Sequence, residues 1–435
     1  MIIEPFFTAS EQGQRRIEKI LQRFEATDDS CVEAVAEILN RIRTEGDTAL
    51  VAYGRQFDSP ELTVEQLETS AAELRAAYEA VDEEFLDTLT VAIDRIGSFH
   101  QRELEDSWMQ TRDDGSIVGR LVRPVDSAGL YVPGGQGGST PLVSSVLMNG
   151  IPAAIAGVAE RVMVTPADRD GQISPYLLVA AQEIGITRIF KVGSAWAVAA
   201  LAWGTETIPQ VDVIVGPGNQ YVTEAKRQVA GRVRIDMIAG PSEVLIVADE
   251  TADAEHVAAD MLAQAEHDPK ALAMVVTTSE SLAKRLPDEL ERQLAGLSRR
   301  DIARTSLKDR GTILIAADLD EAIDLANAIA SEHLELDIAD PWAQVPFIRH
   351  AGALFLGGYS PEAAGDYLAG PNHVLPTMGT ARFASALGVE TFLKKSSIIS
   401  YSKSALVADA PFIERLARLE GLTAHANSVA VRLKE

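Results

Sequence analysis

The chain contains 435 residues, of which 46% are hydrophobic and 24% are charged, and its formal net charge is −25. This length allows two or more domains with separate cores, and the composition is ordinary for a globular protein. Because so acidic a surface repels the phosphates of nucleic acids and anionic lipids, we expect a partner of neither kind. A single cysteine, Cys31, excludes an internal disulfide and a thiolate zinc site, so a metal would need histidine, carboxylate or amide ligands.

The sequence shows no pattern typical of export or membrane insertion. The first residues, MIIEPFFTASEQGQRR, do not combine a basic start with a long apolar run. The longest apolar stretches, such as AWAVAALAW at 195–203, are too short to span a bilayer. We therefore expect a cytoplasmic protein.

Helical spacing dominates residues 1–115. Apolar and charged positions alternate at that spacing in CVEAVAEILNRIRTEGDTALVAYGRQF, where Gly46 and Asp47 predict a break between two helices. The stretch TRDDGS at 111–116 predicts a turn. This part of the chain is predicted to form a mainly helical arm and layer.

From about residue 118, short apolar runs rich in valine and isoleucine alternate with alanine-rich helical segments. This alternation is typical of crossover units with parallel sheets covered by helices, and its two blocks predict two α/β domains. The end of the chain is predicted to be a short strand followed by helices. The predicted strands are RVMVTP (161–166), ITRIFKV (186–192), VDVIVGP (211–217), EVLIVAD (243–249), ALAMVVTT (271–278), TILIAAD (312–318) and AGALFLGG (351–358).

Two glycine-rich stretches each follow a predicted strand and precede a predicted helix. They are GLYVPGGQGGSTPL at 129–142 and VGPGNQYVTEAKR at 215–227, and neither contains the GxGxxG fingerprint. Either stretch alone could simply connect a strand to a helix. Together they favour a nucleotide or cofactor cleft at the carboxyl ends of the strands, where helix N-termini bind anions.

Four of the seven histidines lie in densely polar stretches of the sequence. Gln264 and His267, in LAQAEHDP, project from the same face of a helix about one turn apart. Each histidine alone is more often structural than a ligand, but the set offers the nitrogen and oxygen ligands of a cysteine-free zinc site. Spacing supports only the first pair. The others are His333 beside Glu332 in SEHLEL, His373 after Asp366 in GDYLAGPNHVLPT, and His425 after Glu420 in LEGLTAHANS.

Seven motifs, in order along the chain, resemble one enzyme family. GLYVPGG, GPGNQYVTEAKR, DMIAGPSEVLIVAD, QAEHDP, SEHLEL, GDYLAGPNHVLPTMGTARF and EGLTAHANS closely resemble histidinol dehydrogenase. The resemblance implies an NAD-dependent enzyme that oxidises L-histidinol through L-histidinaldehyde to L-histidine in the last steps of histidine biosynthesis. It also implies one zinc ion per subunit and a homodimer with swapped elements and shared active sites.

The resemblance implies a role for individual positions. Glu332 and His333 would be the acid/base pair, and both can act only if they lie in a turn or at a strand end, because adjacent strand residues point to opposite faces. Glu420 and His425 would enter the partner subunit's site. The implied zinc ligands are Gln264, His267, Asp366 and His425. The implied substrate-binding residues are these four together with Ser242, His333, His373 and Glu420. The implied NAD contacts are Tyr131, Asn219 and, by its position, Trp196.

The predicted fold class is α/β, with two incomplete Rossmann-like parallel-sheet domains, a helical N-terminal arm and a small C-terminal domain. The expected limits are 1–24 for the arm and 131–241 for the NAD-binding domain. The zinc and catalytic site would lie in a discontinuous α/β domain made of 25–130 and 242–387. A dimer-swapped segment would occupy 388–435.

The chain departs from the family at two places on the cofactor side. Where members usually have GGAQA, with a glutamine that contacts NAD, this chain has GSAWA and therefore Trp196. An indole cannot replace the paired hydrogen bonds of an amide, although it can stack on a nicotinamide or adenine ring. The loop PGGQGGSTPLVSSVL is also about three residues longer than the common form.

Two other functions are compatible with parts of the sequence. A related enzyme acting on an anionic alcohol, such as a hydroxylated sulfonate, would need Arg or Lys near Asp366 and His373, but GDYLAGPNHVLPT has none and Glu420 favours a cation. A binding protein that keeps the metal but has lost redox chemistry is favoured only by Trp196. An NAD titration distinguishes that protein from a dehydrogenase.

Overall fold

The computed structural model describes residues 2–23, 29–134 and 140–434. The longer glycine-rich loop expected from the sequence therefore includes residues, 135–139, that lie outside the described ones. The chain divides into two compact units. The first contains Met1–Glu103 and Asp126–Phe392, and the second contains Leu104–Val125 and Leu393–Glu435.

The larger sheet of the first unit has six described strands, and every neighbouring pair is parallel. In spatial order they are β1 (Pro5–Phe7), β11 (Thr312–Ile315), β10 (Leu272–Thr277), β9 (Glu243–Ala248), β12 (His333–Asp337) and β13 (Ala353–Leu356). The helices of this part are α1 (Glu11–Leu21), α10 (Ala254–Ala265), α11 (Glu280–Leu294), α12 (Arg300–Asp309), α13 (Leu319–Ile329), α14 (Pro341–Gln344) and α15 (Glu362–Tyr367).

The centre of this sheet is apolar on both faces. Val244 and Ile246 of β9 belong to one buried core, which includes Val257 of α10, whereas Leu245 and Val247 belong to a second core shared with α13. Side chains alternate between the faces of a strand, so a continuous apolar run is stable only when helices cover both faces. The sequence EVLIV therefore forms a central strand.

The second sheet of this unit contains five described strands, again with parallel neighbours. In spatial order they are β6 (Arg188–Lys191), β5 (Glu160–Thr165), β4 (Ser127–Tyr131), β7 (Val213–Val215) and β8 (Arg234–Ile235). The remaining helices of the unit are α2 (Asp29–Glu45), α3 (Asp47–Phe57), α4 (Ala71–Ala80), α5 (Glu83–His100), α6 (Val143–Ala156), α7 (Pro175–Glu183), α8 (Ser194–Trp203) and α9 (Gln220–Val229).

Both sheets contain the Rossmann-like strand order 3-2-1-4-5. In the second sheet, β4, β5 and β6 wind outward in one direction, and the chain then returns to place β7 and β8 on the other side of β4. In the larger sheet β9, β10 and β11 do the same, with β12 and β13 on the other side of β9. Such reversals create crevices between adjacent strands, where ligands bind in α/β proteins. The predicted α/β class with two Rossmann-like sheets is confirmed.

The second unit combines a small antiparallel sheet with two helices. β2 (Trp108–Thr111) and β14 (Leu393–Ser400) flank β3 (Ile117–Pro124), and the helices are α16 (Lys403–Leu419) and α17 (Thr423–Ala430). The predicted turn at 111–116 joins β2 to β3, and its Gly115 has φ +76°, which favours glycine. The predicted strand followed by helices at the end of the chain is also found.

At the start of the chain and at the expected domain limits, the structure has features that the sequence patterns do not indicate. The expected helical arm, 1–24, contains a strand as well as a helix, because β1 pairs with β11. The limit expected at 130/131 falls inside β4, and residues of α2 and α3 share a buried core with β5, β6 and α8. The seven strands predicted from apolar runs all occur, and α2 and α3 are separated at Gly46 as expected. Within the described residues, no helix has both the length and the apolar character needed to cross a bilayer.

Candidate active site

Glu332 and His333 lie where β12 begins, so they are not both inside the strand. Glu332 immediately precedes the strand, and its Oε2 accepts the backbone N–H of Glu243 at 2.8 Å. The Nδ1 atom of His333 lies 3.0 Å from the backbone oxygen of the same Glu243. The first residue of β9 thus holds both side chains at one end of the sheet, which satisfies the geometric condition stated for the pair.

The contacts of His333 determine which of its ring nitrogens carries the proton. Nδ1 lies 3.0 Å from the oxygen of Glu243 and 3.2 Å from Oε1 of Gln264, and both are acceptors. A proton on Nδ1 satisfies this arrangement, which leaves the lone pair on Nε2. Within the described residues Nε2 is buried and has no hydrogen-bond partner. The ring is therefore oriented so that Nε2 can accept a proton from a ligand.

Burial changes the protonation of both members of the pair. Burial lowers the pKa of His333 to about 3, with further lowering from His267 and His373, so its imidazole is neutral at physiological pH. Burial raises the pKa of Glu332 well above its usual value, and the charges of Glu243 and Asp366 act in the same direction. Titratable groups shifted in this way are typical of functional sites.

Helix α10 brings Gln264 to this pair. Asp253 caps the helix by accepting the N–H of Glu255, and Gln264 lies in the last turn with its side chain fully buried. Its Oε1 faces His333, whereas its Nε2 is one of the buried atoms for which the described structure provides no partner. His267 follows just beyond the helix end, and its N–H donates to the Gln264 carbonyl.

His267, Glu362 and Asp366 form a cluster that could hold a metal ion. One nitrogen or oxygen atom from each lies within 4.8 Å of the others. Glu362 and Asp366 are four residues apart on α15, so they project from the same face of that helix. Glu362 is absent from the set predicted from the sequence. The spacing in SPEAAGDY could have indicated it, but only once the short segment was known to be helical.

The carboxylates of this cluster lie close to one another. Burial raises the pKa of Glu362 well above its usual value, with added repulsion from Asp366 and Glu332, and burial raises the pKa of Asp366 to about 6. Oε2 of Glu362 is buried and has no hydrogen-bond partner in the described part of the chain. Desolvation lowers the pKa of His267, so its imidazole can offer a lone pair. A neutral imidazole and clustered carboxylates are suitable ligands for zinc.

Two further predicted substrate-binding residues lie near these elements. Ser242 directly precedes β9 and is partly buried, and its backbone oxygen accepts the N–H of Leu272. Burial lowers the pKa of His373 to about 4, and His267 lowers it further. The Nε2 of His373 is also buried and lacks a hydrogen-bond partner among the described residues. The structure thus groups His267, His333 and His373.

The last two predicted site residues belong to the second unit. Glu420 ends α16, and His425 lies in the first turn of α17. Both side chains are exposed.

The predicted cofactor residues lie at the carboxyl ends of β4 and β7, which are adjacent strands. Tyr131 is the last residue of β4, and its hydroxyl accepts the N–H of Ser194 at the start of α8. Asn219 follows β7 and caps α9 by accepting the N–H groups of Tyr221 and Val222. Tyr131 thus contacts the N-terminus of α8 and Asn219 caps that of α9, beside the strand-order reversal between β4 and β7, where nucleotides bind in α/β proteins.

Trp196 lies in α8 but is enclosed by other aromatic rings. Tyr53 and Phe57 stack on it at centroid distances of 5.5 and 5.4 Å, with interplanar angles of 11° and 19°. The indole is only 5% exposed. A cofactor ring could stack on Trp196 only if one of these neighbours moved. Its role as a cofactor contact stays a prediction.

The fold is that of an α/β protein, and its site places a buried glutamate–histidine pair beside a cluster of nitrogen and oxygen groups that could hold a metal ion. The family described as histidinol dehydrogenase matches residues 21–433. A histidinol dehydrogenase from Desulfotalea psychrophila is 70% identical over 434 residues, covering 100% of both chains, and one from Oleidesulfovibrio alaskensis is 53% identical, covering 98% of each. The crystal structure of histidinol dehydrogenase from Elizabethkingia anophelis has a TM-score of 0.92 at 37% identity, covering 99% of this chain and 98% of that chain. This chain belongs to the histidinol dehydrogenase family of NAD-linked oxidoreductases of histidine biosynthesis.

Proposed function

We propose that this protein oxidises L-histidinol in two NAD-linked steps, through L-histidinaldehyde to L-histidine, and that it needs zinc. The observation that carries the proposal is the neutral His333, whose Nε2 is available beside the cluster of His267, Glu362 and Asp366. An alcohol held at this cluster would have a base within reach. The family to which the chain belongs supports the substrate.

The proposed zinc ligands are Gln264, His267, Asp366 and, from the partner subunit of a homodimer, the residue equivalent to His425. Two of them, His267 and Asp366, already lie within ligand reach of each other. The carbonyl oxygen of Gln264 has two lone pairs, so contact with His333 does not prevent it from binding a metal. When bound, zinc supplies a positive charge and open coordination positions for the amine and imidazole nitrogens of histidinol. Glu362 adds a further negative charge beside it.

His333 acts as the base in the first oxidation. Its Nδ1 keeps its proton and donates it in hydrogen bonds to the oxygens of Glu243 and Gln264, so Nε2 takes the proton from the substrate hydroxyl. The resulting imidazolium would be stabilised by the nearby Glu332 and Glu362, each with a carboxylate oxygen 3.8 Å from Nδ1. When bound, NAD would supply the acceptor for the hydride that leaves the substrate carbon.

Glu332 acts in the second oxidation. Water must add to the aldehyde to give a gem-diol before hydride can leave its carbon. A carboxylate with a raised pKa is a stronger base than one in water, so the ionised form of Glu332 can deprotonate this water. The hydrogen bond from Glu243 N–H to Oε2 fixes the carboxylate while it does so. As the diol forms, the imidazolium of His333 returns its proton to the former aldehyde oxygen, and the neutral ring can then take a proton from the diol when hydride leaves.

The remaining predicted residues would bind the substrate. Ser242, which directly precedes β9, and His373, in the loop after α15, would contact it. Histidinol is cationic near neutral pH, so Glu420 of the partner subunit would pair with its positively charged end. Tyr131, Asn219 and the α8 region that contains Trp196 would form the NAD crevice.

A homodimer with shared sites belongs to the same proposal. Phe412, Leu416 and Leu419 are 70%, 62% and 64% exposed, and their spacing places them on one face of α16. An exposed apolar stripe of this kind supports packing against another subunit. It lies on the helix that ends at Glu420 and shortly precedes His425. The cytoplasmic location expected from the sequence is also part of the proposal.

The proposal is tested by following NADH formation from a panel of alcohols with the purified, zinc-loaded protein. We expect turnover of L-histidinol and none of hydroxylated sulfonates of similar size, because the proposed site residues are acidic and neutral. Turnover of the anionic alcohol without turnover of histidinol would contradict the proposed substrate. NAD binding without turnover of either would support a protein that has lost its chemistry.

A further inference from the structure

A buried carboxyl group that the proposed mechanism does not use lies directly behind the site. Glu335 is 4% exposed and lies two residues after His333 on β12, so both project from the same face of the strand. Its Oε1 accepts the backbone N–H of Glu362 at 3.1 Å. Glu362 is the first residue of α15, the short helix that also carries Asp366. Glu335 thus connects the strand of the base to the helix that carries two acidic site residues.

Glu335 has a second neighbour on another element of the site. Burial raises the pKa of Glu335, and the neighbouring carboxyl group of Asp260 on α10 raises it further. Asp260 lies one turn before Gln264 on the same helix, so they share a face. The pair therefore links α10, which carries Gln264, with α15 and β12.

Helix α15 packs closely against β13, so its position also determines where Glu362 and Asp366 lie. A Cβ atom at Gly365 would lie 2.7 Å from the ring of Phe355, so α15 approaches β13 more closely than any other residue would allow. The same Phe355 ring lies 5.9 Å from the ring of His333. Among the described residues, the side-chain acceptor of the N–H at the start of α15 is Glu335.

We propose that Glu335, supported by Asp260, is a positioning residue that sets the placement of Glu362 and Asp366 relative to His333. This inference rests on the proposed function, because that function assigns the roles of Glu362, Asp366 and His333. Glu335 itself binds neither substrate nor metal and acts through the N–H of Glu362. Residues of this kind, which orient the groups that bind a metal, change metal affinity when they are replaced.

The test compares Glu335→Leu with Glu335→Gln in the full-length protein. Leucine removes the acceptor for the Glu362 N–H at similar volume, whereas the glutamine carbonyl retains it and its amide can donate to Asp260. Three quantities are measured: hydrogen exchange of the Glu362 amide, zinc affinity by competition with a chelator, and kcat and KM for histidinol. Asp337→Asn is the control, because Asp337 lies in the same acidic surroundings without an N–H of α15 as partner.

We expect Glu335→Leu to increase exchange of the Glu362 amide by about 10-fold or more and to weaken zinc binding about 10–100-fold. Glu335→Gln and the control variant should remain within about threefold of wild type in both quantities, where a factor of ten is 1.4 kcal/mol. KM should rise more than kcat falls, because the residues that hold the substrate are displaced while His333 stays in place. A folded Glu335→Leu protein with wild-type exchange and zinc affinity would overturn the inference.

The exchange measurement does not depend on turnover. A wild-type protein that fails to oxidise histidinol overturns the proposed function, whereas unchanged exchange in Glu335→Leu overturns the positioning role. If Glu335→Leu does not fold, Asp260→Ala takes its place, because Asp260 is only partly buried. Asp260→Ala should raise exchange of the Glu362 amide by less than the effect expected for Glu335→Leu. Wild-type exchange in Asp260→Ala would contradict the support assigned to Asp260.

Discussion

At the scale of single residues, the site depends on how few hydrogen-bond choices His333 has. Its Nδ1 faces two oxygens, one from a strand that pairs with its own and one from Gln264, and these fix the ring and its proton. The other nitrogen is left available inside a buried space. Burial, which lowers the pKa of His333 to about 3, keeps this oriented imidazole neutral beside the neighbouring carboxyl groups.

The first prediction concerns His333→Ala. Removing the only proposed base for the alcohol should lower kcat for histidinol oxidation by about 10²–10⁴-fold, the usual contribution of a positioned general base. NADH formation in steady state measures the effect. His350→Ala is the control, because His350 lies in the loop before β13 and has no part in the proposed site. A residual rate within about tenfold of wild type would exclude His333 as the base.

The second prediction separates the two oxidations. Glu332→Gln retains an oxygen that can accept the Glu243 N–H, so the local structure should persist while the base is lost. Oxidation of supplied L-histidinaldehyde should slow by about 10²-fold or more, and reduction of NAD in the first step should change much less. Single-turnover kinetics with each substrate measures both. Unchanged aldehyde oxidation would show that another group activates water.

Sequence patterns identified some of these residues and missed others for a physical reason. Glu332 and His333 are neighbours in the chain, so a motif can carry both. Gln264 and His267 have helical spacing and were found as a pair, although His267 proves to lie just after the helix. Glu362 was missed because its relation to His267 depends on the packing of α15 on α10, which no local pattern encodes.

At the scale of elements, α8 shows how a substitution can be accommodated. The motif resemblance leads us to expect glutamine where α8 has Trp196, and the indole of this residue stacks with Tyr53 and Phe57 of α3. Two rings stack on the indole and it is only 5% exposed, so packing in the core of this sheet is the role that the structure supports for it.

The third prediction follows from this stacking. Trp196→Ala should lower the free energy of unfolding by about 3–5 kcal/mol, because it leaves a cavity where the buried indole packs against two rings. Urea denaturation measures the loss, and Trp196→Phe should recover most of it. A loss below about 1 kcal/mol together with a large rise in KM for NAD would instead assign Trp196 to the cofactor.

The helices of the second unit carry the fourth prediction. His425→Ala and His333→Ala proteins should each be inactive, but a mixture with exchanged subunits should regain up to about a quarter of wild-type activity, since half of the dimers would contain one intact site. A mixture of His333→Ala with Glu332→Ala is the matched control and should stay inactive, because one chain contributes both residues. No recovery in the first mixture, with exchange verified, would contradict shared sites.

At the scale of the whole molecule, two parallel sheets with the same strand order provide two crevices. The alternation of apolar runs and helices predicted both sheets, because a strand buried on both faces has a recognisable composition. Pairings between strands that are distant in the sequence have no comparable signal in the local composition. Examples are β1 on the edge of the larger sheet, next to β11, and β14 beside β3. Their partners are far away in the sequence, so periodicity cannot reveal them.

The most direct test of the account is the amount of NADH formed for each L-histidinol consumed by the zinc-loaded protein, with the product identified. Conversion of an alcohol to a carboxylate removes four electrons and each NAD accepts two. We therefore predict two NADH for each L-histidine formed, loss of activity when a chelator removes zinc, and recovery when zinc is restored. One NADH for each substrate with release of the aldehyde, or full activity without metal, would contradict the central claim.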